Sequence, residues 1–202
     1  MKINLFNLFI ASFIVIISCS DVELIEKEKE ADNLINTFIK ENKIPGLSVT
    51  ILNGDGYIEY SKGFGYADLE KRININPKNS IFRIGSFSKT LAGTALMKMY
   101  EEKKIEIDSP VGFYIKNLPA DKKKITLKQI AGHLSGIRHY GDGDDMNLNL
   151  NYENTSEALN IFINDSLLFD PGTKYSYSTH AWTLLSLAME KAYGENFIQL
   201  MK

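Results

Sequence analysis

The stretch that decides the fold is "IFRIGSFSKTLAGTALMKMYEEKKIEID", which runs from Ile81 to Asp108. It opens with a short β-like run, Ile81 to Ile84, and after Ser86 it continues with the spacing of an amphipathic helix. The predicted buried face of that helix consists of Leu91, Ala92, Ala95, Leu96, Met99 and Tyr100. A serine therefore stands where an extended segment meets a helix, and Lys89 follows it by three residues.

Ser86 and Lys89 form an S-x-x-K tetrapeptide, whose two ends lie on the same face of a helix. A helix N-terminus favours negative charge on the serine oxygen by about 0.3 to 1 kcal/mol, and a nearby amine could accept the hydroxyl proton. Such tetrapeptides also occur by chance. From these four residues alone two interpretations stay open, a nucleophile with its proton acceptor, or an N-cap serine beside a surface lysine.

The residues before this stretch predict a helix followed by a β-hairpin. Asp21 to Asn42 carries apolar residues at helical spacing. Leu47 to Leu52 is rich in β-formers, Asn53 to Gly56 is a strong turn signal, and Tyr57 to Phe64 is interpreted as the returning strand. No helical pattern separates these strands, so we expect them to pair antiparallel.

The residues after the stretch predict helices and loops. The predicted helices run from the N-cap Thr126 to a stop at Gly136, from Thr155 or Ser156 to Ile163, and from Thr179 to Tyr193 with Gly194 as the stop. Two early strands make a marginal sheet. We therefore expect either that helices cover the hairpin or that further strands belong after residue 202.

The first residues have the layout of a secretory signal. Lys2 precedes an apolar run that is too short to span a membrane as a helix, so residues 1–18 are predicted to be a signal peptide. The run ends in Ile16-Ile17-Ser18-Cys19, which resembles the bacterial lipoprotein cleavage box. The resemblance implies that Cys19 is acylated and anchors an exported protein to a membrane of the cell envelope. A free thiol is the alternative.

The charge and the motifs of the sequence bear on whether it binds nucleic acid, a cofactor or a metal. The formal net charge of -2 gives no reason to expect a nucleic-acid partner. The lysine runs at Lys103-Lys104 and Lys122 to Lys124 are interpreted as solvated surface. The sequence contains neither a glycine-rich phosphate cradle nor a metal-ligating cluster, and "GDGDD" at Gly141 to Asp145 lacks the spacing of a calcium loop. We expect no cofactor and no metal, and the oligomeric state stays open.

Four segments, "FRIGSFSKT", "EEKKIEIDSPV", "ITLKQIAGHLSGIRHY" and "FDPGTKYSYSTHAWTLLSLAMEKAYG", occur in this order. Together they resemble the serine β-lactamase and penicillin-binding-protein superfamily, in the β-lactamase-related branch with class C enzymes, D,D-peptidases and esterases. "HLSGIRHY" and "YSYST" are most similar to its LACTB-like members. The resemblance covers about residues 30–200 and implies an α/β (α+β) fold in which helices flank an antiparallel sheet, beside a mostly helical region. The predicted domain is 19–202.

The resemblance also implies roles for individual residues. Ser86 is the expected acylated nucleophile, Lys89 its proton partner, and Tyr177 the general base or proton relay. The family's second motif is Tyr-x-Asn, but here Thr179 replaces the asparagine and loses its amide fork, which puts substrate recognition there in question. Tyr175 is the competing tyrosine. The implied reaction is acyl transfer from a β-lactam, a D-Ala-D-Ala peptide, another amide or an ester to water.

The family's third motif, Lys or His followed by Thr or Ser and then Gly, is absent from the sequence. Its strand carries the second oxyanion-hole donor, and loss of one such donor costs about 2.7 to 4 kcal/mol. We therefore expect the chain to be the N-terminal part of a longer domain. The alternative is a membrane-tethered, non-catalytic relic or binding protein on the same scaffold.

A Ser-His-Asp hydrolase is a weaker hypothesis. The three histidines, His133, His139 and His180, would have to supply its base. The spacing of Gly132 to Gly136, however, does not fit the G-x-S-x-G elbow, and His133 near a helix end is interpreted as a structural residue.

Overall fold

The chain divides into two units, Met1–Arg83 and Ile84–Lys202, which we call the sheet unit and the helical unit. The computed structural model describes residues 24–141 and 152–202. The predicted signal peptide, Cys19 and most of the "GDGDD" segment lie outside these residues. None of the helices in the described ranges is long and apolar enough to cross a membrane.

The described part of the sheet unit, from residue 24 onward, contains one helix and a three-stranded antiparallel sheet in the order β1-β2-β3. Its elements are α1 at 24–41, β1 at Gly46–Leu52, β2 at Ile58–Asp68 and β3 at Ile73–Asn74. The predicted helix and hairpin are confirmed. The turn between β1 and β2 is organised by Asn53, whose Oδ1 accepts the N–H groups of Asp55 and Tyr57.

The sequence prediction missed β3 and the close packing that follows it. Ile75 is buried, and its N–H donates to the Gly65 carbonyl at 3.0 Å. A Cβ on Gly63 would lie 2.2 Å from the Ile75 carbonyl oxygen, so only glycine allows this approach.

A polar network joins α1 to β2. The Tyr60 hydroxyl donates to Asp32 at 2.5 Å, and the Lys62 ammonium donates to the other oxygen of the same carboxylate at 2.9 Å. Desolvation, followed by the hydrogen bond to Asp32, raises the pKa of Tyr60 to about 12. The hydrogen bonds from Tyr60 and Lys62 lower the pKa of Asp32.

The helical unit begins with a 3₁₀ turn at Gly85–Phe87 that leads directly into α2, Ser88–Glu101. The remaining helices are α3 at Leu127–Ala131, α4 at Thr155–Ala158, α5 at Thr179–Tyr193 and α6 at Phe197–Leu200. α5 starts at the buried N-cap Ser178 and ends at Gly194, whose φ is 89°. Both ends of this helix confirm the prediction.

The predicted strand at Ile81 to Ile84 is wrong. No strand is assigned to these four residues, Ile81 is 98% exposed, and the Ile84 backbone is already helical. A short segment of this kind becomes a strand only where a neighbouring strand pairs with its backbone.

Two predicted helices are shorter than the sequence suggested. Thr126 and Gln129 do form a capping box, but α3 ends at Ala131 and not near Gly136. The N-cap of α4 is Asn154, not Thr155 or Ser156, and α4 passes into a 3₁₀ turn at Leu159–Ile161. A strong cap fixes where a helix starts, whereas tertiary packing decides how far it extends.

Lys122 corrects the interpretation of the lysine run as solvated surface. Its side chain is only 2% exposed, and its ammonium donates to Asp121 at 2.9 Å and to the Asp165 carbonyl at 2.6 Å. A buried ammonium requires such partners because an unpaired charge in the interior is strongly unfavourable.

The core of the helical unit surrounds α5. Its side chains come from α2, α3, α5, the 3₁₀ turns and the loops between these elements. The fully enclosed members include Val111, Ile125, Leu127, Ile130, Leu184, Leu185 and Met189. α5 buries apolar residues over most of its circumference, which is typical of a central helix. The first turn of α5 is therefore a rigid platform for the residues that precede it.

Candidate active site

Ser86 lies in the 3₁₀ turn that opens α2, with its side chain exposed. The preceding Gly85 has a φ of 53°, a conformation that glycine adopts without steric cost. One turn along the helix, the half-buried Lys89 donates from Nζ to Ser86 Oγ at 3.2 Å. The tetrapeptide thus brings its amine to its hydroxyl, as the spacing predicts.

Tyr177 and Thr179 approach the same place from the start of α5. Ser178 between them is extended, with φ −141° and ψ 119°, so its two neighbours project to the same side. The Tyr177 hydroxyl lies 2.7 Å from Ser86 Oγ, and Lys89 Nζ donates to Thr179 Oγ1 at 3.2 Å. The structure therefore brings together all four side chains that the sequence proposed for the site.

Tyr175, the competing tyrosine, is 68% exposed, and its ring packs edge-on to His133 with the centroids 5.9 Å apart. It is Tyr177, two residues later, that contacts the serine.

The surroundings of Tyr177 favour its phenolate form. Hydrogen bonding with Ser86, and next with Lys89, lowers the pKa of Tyr177. The Lys89 ammonium also lies 5.1 Å from the centroid of the Tyr177 ring. A phenol with a lowered pKa at hydrogen-bond distance from a serine hydroxyl can accept the proton of that hydroxyl.

A cavity of about 390 Å³ opens beside Ser86 and Lys89, within the size range of small-molecule sites. Its lining comes from the helical unit and combines hydroxyls with aromatic rings, including Tyr140, Thr179, Trp182 and Phe197. Among the described residues, no group of three or more His, Cys, Asp or Glu side chains is arranged to hold a metal ion.

A family model described as Beta-lactamase matches residues 31–202 of the chain. The chain belongs to the β-lactamase family. This assigns it to the serine β-lactamase and penicillin-binding-protein superfamily of serine hydrolases, as the ordered motifs indicated.

Individual relatives agree with the assignment. The human mitochondrial serine beta-lactamase-like protein LACTB is 28% identical over 238 aligned residues, which cover 84% of this chain and 43% of LACTB. The octameric penicillin-binding protein homologue from Pyrococcus abyssi superposes with a TM-score of 0.73 at 26% identity, over 86% of this chain and 41% of that one. FmtA from Staphylococcus aureus superposes with a TM-score of 0.67 at 28% identity, and the superposition covers 84% of this chain and 44% of FmtA. The chain thus spans less than half the length of each, and the fold is that of the β-lactamases and transpeptidases.

Sequence reasoning missed the part that two histidines play in this β-lactamase-family site. His133 Nδ1 accepts the Ser178 N–H at 3.1 Å, and His139 Nδ1 accepts the Thr179 N–H at 3.2 Å. Their rings lie against Tyr177, with centroid distances of 4.4 Å and 5.2 Å. The available signal was the pair of histidines six residues apart around Gly136, but no local rule connects that spacing to the start of α5.

His180 is placed differently. It is buried and stacks on Phe162 with the centroids 4.7 Å apart, and its Nε2 lies 3.3 Å from Arg138 Nη1. The contacts of Ser86 described above come from an amine and a phenol, whereas the three histidines contact backbone amides, rings and a guanidinium. The Ser-His-Asp arrangement is not supported by this geometry.

Proposed function

We propose that the protein is a serine hydrolase that forms an acyl-enzyme on Ser86. The observation that carries this proposal is that Ser86 Oγ lies within hydrogen-bond distance of both the Tyr177 phenol and the Lys89 amine. A serine hydroxyl becomes a nucleophile only when a positioned group removes its proton. Two groups that could remove this proton lie at the Ser86 hydroxyl.

In the proposed reaction, Ser86 Oγ bonds to the substrate carbonyl carbon while its proton passes to the Tyr177 oxygen in its phenolate form, or to the Lys89 nitrogen in its neutral amine form. Collapse of the tetrahedral intermediate breaks the bond to the leaving group, which takes up that proton. A water molecule then attacks the acyl ester, loses its proton to the same groups, and releases the acid and the free Ser86 hydroxyl.

The proposed substrates are β-lactams, D-Ala-D-Ala peptides, other amides and esters. Thr179 is the proposed substrate-binding residue, because it lines the cavity and its hydroxyl contacts Lys89 beside the serine. The names of two relatives support the choice of probes, since LACTB is described as serine beta-lactamase-like and the Pyrococcus abyssi protein as a penicillin-binding protein homologue.

The test is covalent labelling with a fluorophosphonate and a fluorescent penicillin, followed by peptide mass spectrometry. We expect the label on Ser86 and its loss in Ser86→Ala. Thr94→Ala is the matched control, since Thr94 is an exposed hydroxyl on the same helix whose Oγ1 donates to the Thr90 carbonyl. If folded wild-type protein takes up neither probe, the hydrolase proposal fails and the non-catalytic binding protein is the better description.

We further propose that residues 1–18 are removed as a signal peptide and that a lipid on Cys19 anchors the protein to a bacterial envelope membrane. The support is the sequence pattern alone, a basic start, an apolar run and a single cysteine at its end. Metabolic labelling with an alkynyl fatty acid should mark the wild type and Ser20→Ala but not Cys19→Ser. Equal labelling of all three proteins would contradict the anchor.

A further inference from the structure

His133 has an unusual backbone conformation at the end of α3. Its φ is 60°, in the left-handed region where a residue after a helix is ordinarily glycine. Residues other than glycine are uncommon in this region, although histidine is among those that adopt it more often, and the contacts of His133 stabilise it there.

The contacts of His133 bracket Tyr177 on both sides. The His133 carbonyl accepts the Ser176 N–H at 2.9 Å, and its ring Nδ1 accepts the Ser178 N–H at 3.1 Å. The ring itself lies 4.4 Å from the Tyr177 ring, centroid to centroid, with 33° between the planes. One residue thus fixes the backbone before and after the tyrosine and also covers its ring.

His139 makes the equivalent contact one residue further along. Its Nδ1 accepts the Thr179 N–H at 3.2 Å, and its ring meets the Tyr177 ring edge-on at 5.2 Å. Next to it, the Arg138 carbonyl accepts a hydrogen bond from the buried Ser178 hydroxyl at 2.8 Å. The segment from His133 to His139 therefore holds four consecutive residues, 176 to 179.

We propose that His133 and His139 are paired positioning residues that hold the Tyr177 hydroxyl at Ser86 through the two backbone amides after it, and that protonation of either ring releases the tyrosine. This inference rests on the proposed function, because Tyr177 matters for chemistry only if Ser86 is the nucleophile. Neither histidine is a catalytic residue in this proposal, since both act through the tyrosine.

Protonation has this effect because the accepting nitrogens must be free of protons. A ring whose Nδ1 accepts an N–H is neutral and carries its hydrogen on Nε2. A protonated ring would turn a second donor towards the amide, and the hydrogen bond would be lost.

The groups around the His133 ring oppose its protonation. Lys89 and His139 face His133, along with the phenols of Tyr175 and Tyr177. Burial, then Lys89, then His139, lower the pKa of His133. His139 is faced by Tyr140 and Tyr177, and its own carbonyl accepts a hydrogen bond from the Arg138 guanidinium. The surroundings of His133 therefore favour its neutral form, and acidification is the condition that opposes it.

The test uses two substitutions at position 133 that the backbone tolerates equally. Glycine and asparagine both adopt positive φ, but only asparagine places an acceptor, Oδ1, where Nδ1 stood. In His133→Gly we expect the rate of fluorophosphonate labelling at Ser86 to fall about 100-fold at pH 8, the effect of roughly 1 Å of misplacement. In His133→Asn it should stay within about 5-fold of wild type, since a side-chain acceptor again holds the amide. Equal rates in the two variants would overturn the positioning role, and thermal unfolding of both verifies that they are folded.

The pH dependence is tested with the double variant His133→Asn/His139→Asn. Neither asparagine titrates, so the ratio of its labelling rate to that of wild type should rise at least about 5-fold between pH 8 and pH 5. A constant ratio would contradict release by protonation.

A readout that does not depend on activity separates this proposal from the proposed function. Nitrogen-15 NMR of the side chains should show both His133 and His139 as the neutral Nε2–H tautomer at pH 8. Either ring with hydrogen on Nδ1 would overturn the inference. If wild type shows these tautomers but Ser86 is never labelled, the proposed function fails while the geometric pairing stands.

Discussion

In the described part of the helical unit, the buried apolar residues other than Ala92 form one cluster around α5. In the described part of the sheet unit, Tyr60 and Ile75 are the buried apolar residues. Large apolar side chains elsewhere in the sheet unit stay accessible, for example Leu34 at 72% and Ile58 at 62%. Backbone ladders and the Asp32 network hold the sheet unit, and apolar burial holds the helical unit. Burial of apolar side chains contributes many kcal/mol to the free energy of unfolding, whereas exposed ion pairs contribute little. The same kind of side-chain truncation should therefore destabilise the two units to different extents.

The candidate active-site residues all lie in the unit that apolar burial stabilises. Ser86, Lys89, Tyr177 and Thr179 all belong to the helical unit, and the last two are held at the start of its most buried helix. A site that needs hydroxyls placed to within about 0.5 Å benefits from a rigid support. If this contrast between the two units holds, substitutions at the site should have the largest effects.

Tyr177→Phe should give the largest effect. It removes the phenol that contacts Ser86 and should lower the labelling rate at Ser86 by about 10² to 10⁴, the range for loss of a general base. Tyr175→Phe is the matched control, because that phenol belongs to a 68% exposed side chain, and its rate should stay near that of wild type. Equal losses in both variants would show that the tyrosines act through folding.

The pH profile of the same reaction has a defined sign. Because hydrogen bonding with Ser86 and Lys89 lowers the pKa of Tyr177, its phenolate should form at a lower pH than that of an ordinary tyrosine. Wild-type labelling should therefore rise with pH, beginning below the usual value of 10.0, and Tyr177→Phe should lack this rise. Stopped-flow labelling between pH 7 and pH 10 measures both curves, and identical profiles would contradict the role of Tyr177 as base.

Much of this site could be predicted from sequence because its links are local. An S-x-x-K tetrapeptide at a helix start places its ends on one face, and a Tyr-x-Thr segment in extended form directs both side chains to one side. What the sequence did not reveal is that these two segments meet, which depends on the packing of α2 and α5. The resemblance to a known family supplied that link.

The features that the sequence analysis missed or predicted wrongly are those that local spacing does not determine. The contacts of Lys122 and the amide-accepting role of His133 depend on partners more than 40 residues away along the chain. β3 has only two residues and is defined by its pairing with β2, while Ile81 to Ile84 forms no strand. Composition and spacing over a few residues carry no information about such partners. Terminal signals such as the Thr126 cap and Gly194 were predicted correctly because their physics is complete within one turn.

A third prediction compares the stability of the two units directly. Leu184 is fully buried in the core, and Leu184→Ala should reduce the free energy of unfolding by about 2 to 5 kcal/mol. Leu34 on α1 is 72% exposed, and Leu34→Ala should change the free energy of unfolding by no more than about 0.5 kcal/mol. Urea unfolding followed by circular dichroism measures both values. A large loss in Leu34→Ala would contradict the contrast between the units.

A smaller effect is expected at the start of α3. Thr126→Ala removes the acceptor for the Gln129 N–H and should cost about 1 kcal/mol. Thr126→Ser keeps the hydroxyl and should recover most of that loss. Urea unfolding of the two variants tests the cap, and a serine variant as unstable as the alanine variant would show that the methyl group matters instead.

The smallest effect concerns the polar network that joins α1 to β2. The pKa of Asp32 is lowered, so its contribution to stability is present above its ordinary value of 3.8 and is lost as the pH falls below it. The pKa of Tyr60 is raised from 10.0 to about 12, so its contribution is present below 10 and is lost as the pH rises through that interval. Hydrogen exchange of the β1–β2 amides, measured relative to amides of α5 at each pH, should therefore accelerate at both extremes.

Asp32→Asn separates the two limbs of the exchange profile, the acceleration at acid pH and the acceleration at alkaline pH. The asparagine does not titrate, so the acceleration at acid pH should disappear. The alkaline limb should shrink without vanishing, because desolvation is the largest cause of the raised pKa of Tyr60 and the hydrogen bond with Asp32 comes second. Glu28→Gln is the matched control, since Glu28 pairs with Lys62 at 3.1 Å from a half-exposed position and should leave both limbs nearly unchanged. If Asp32→Asn exchanges like wild type at every pH, the network does not stabilise the sheet unit, and the backbone ladder alone must hold it.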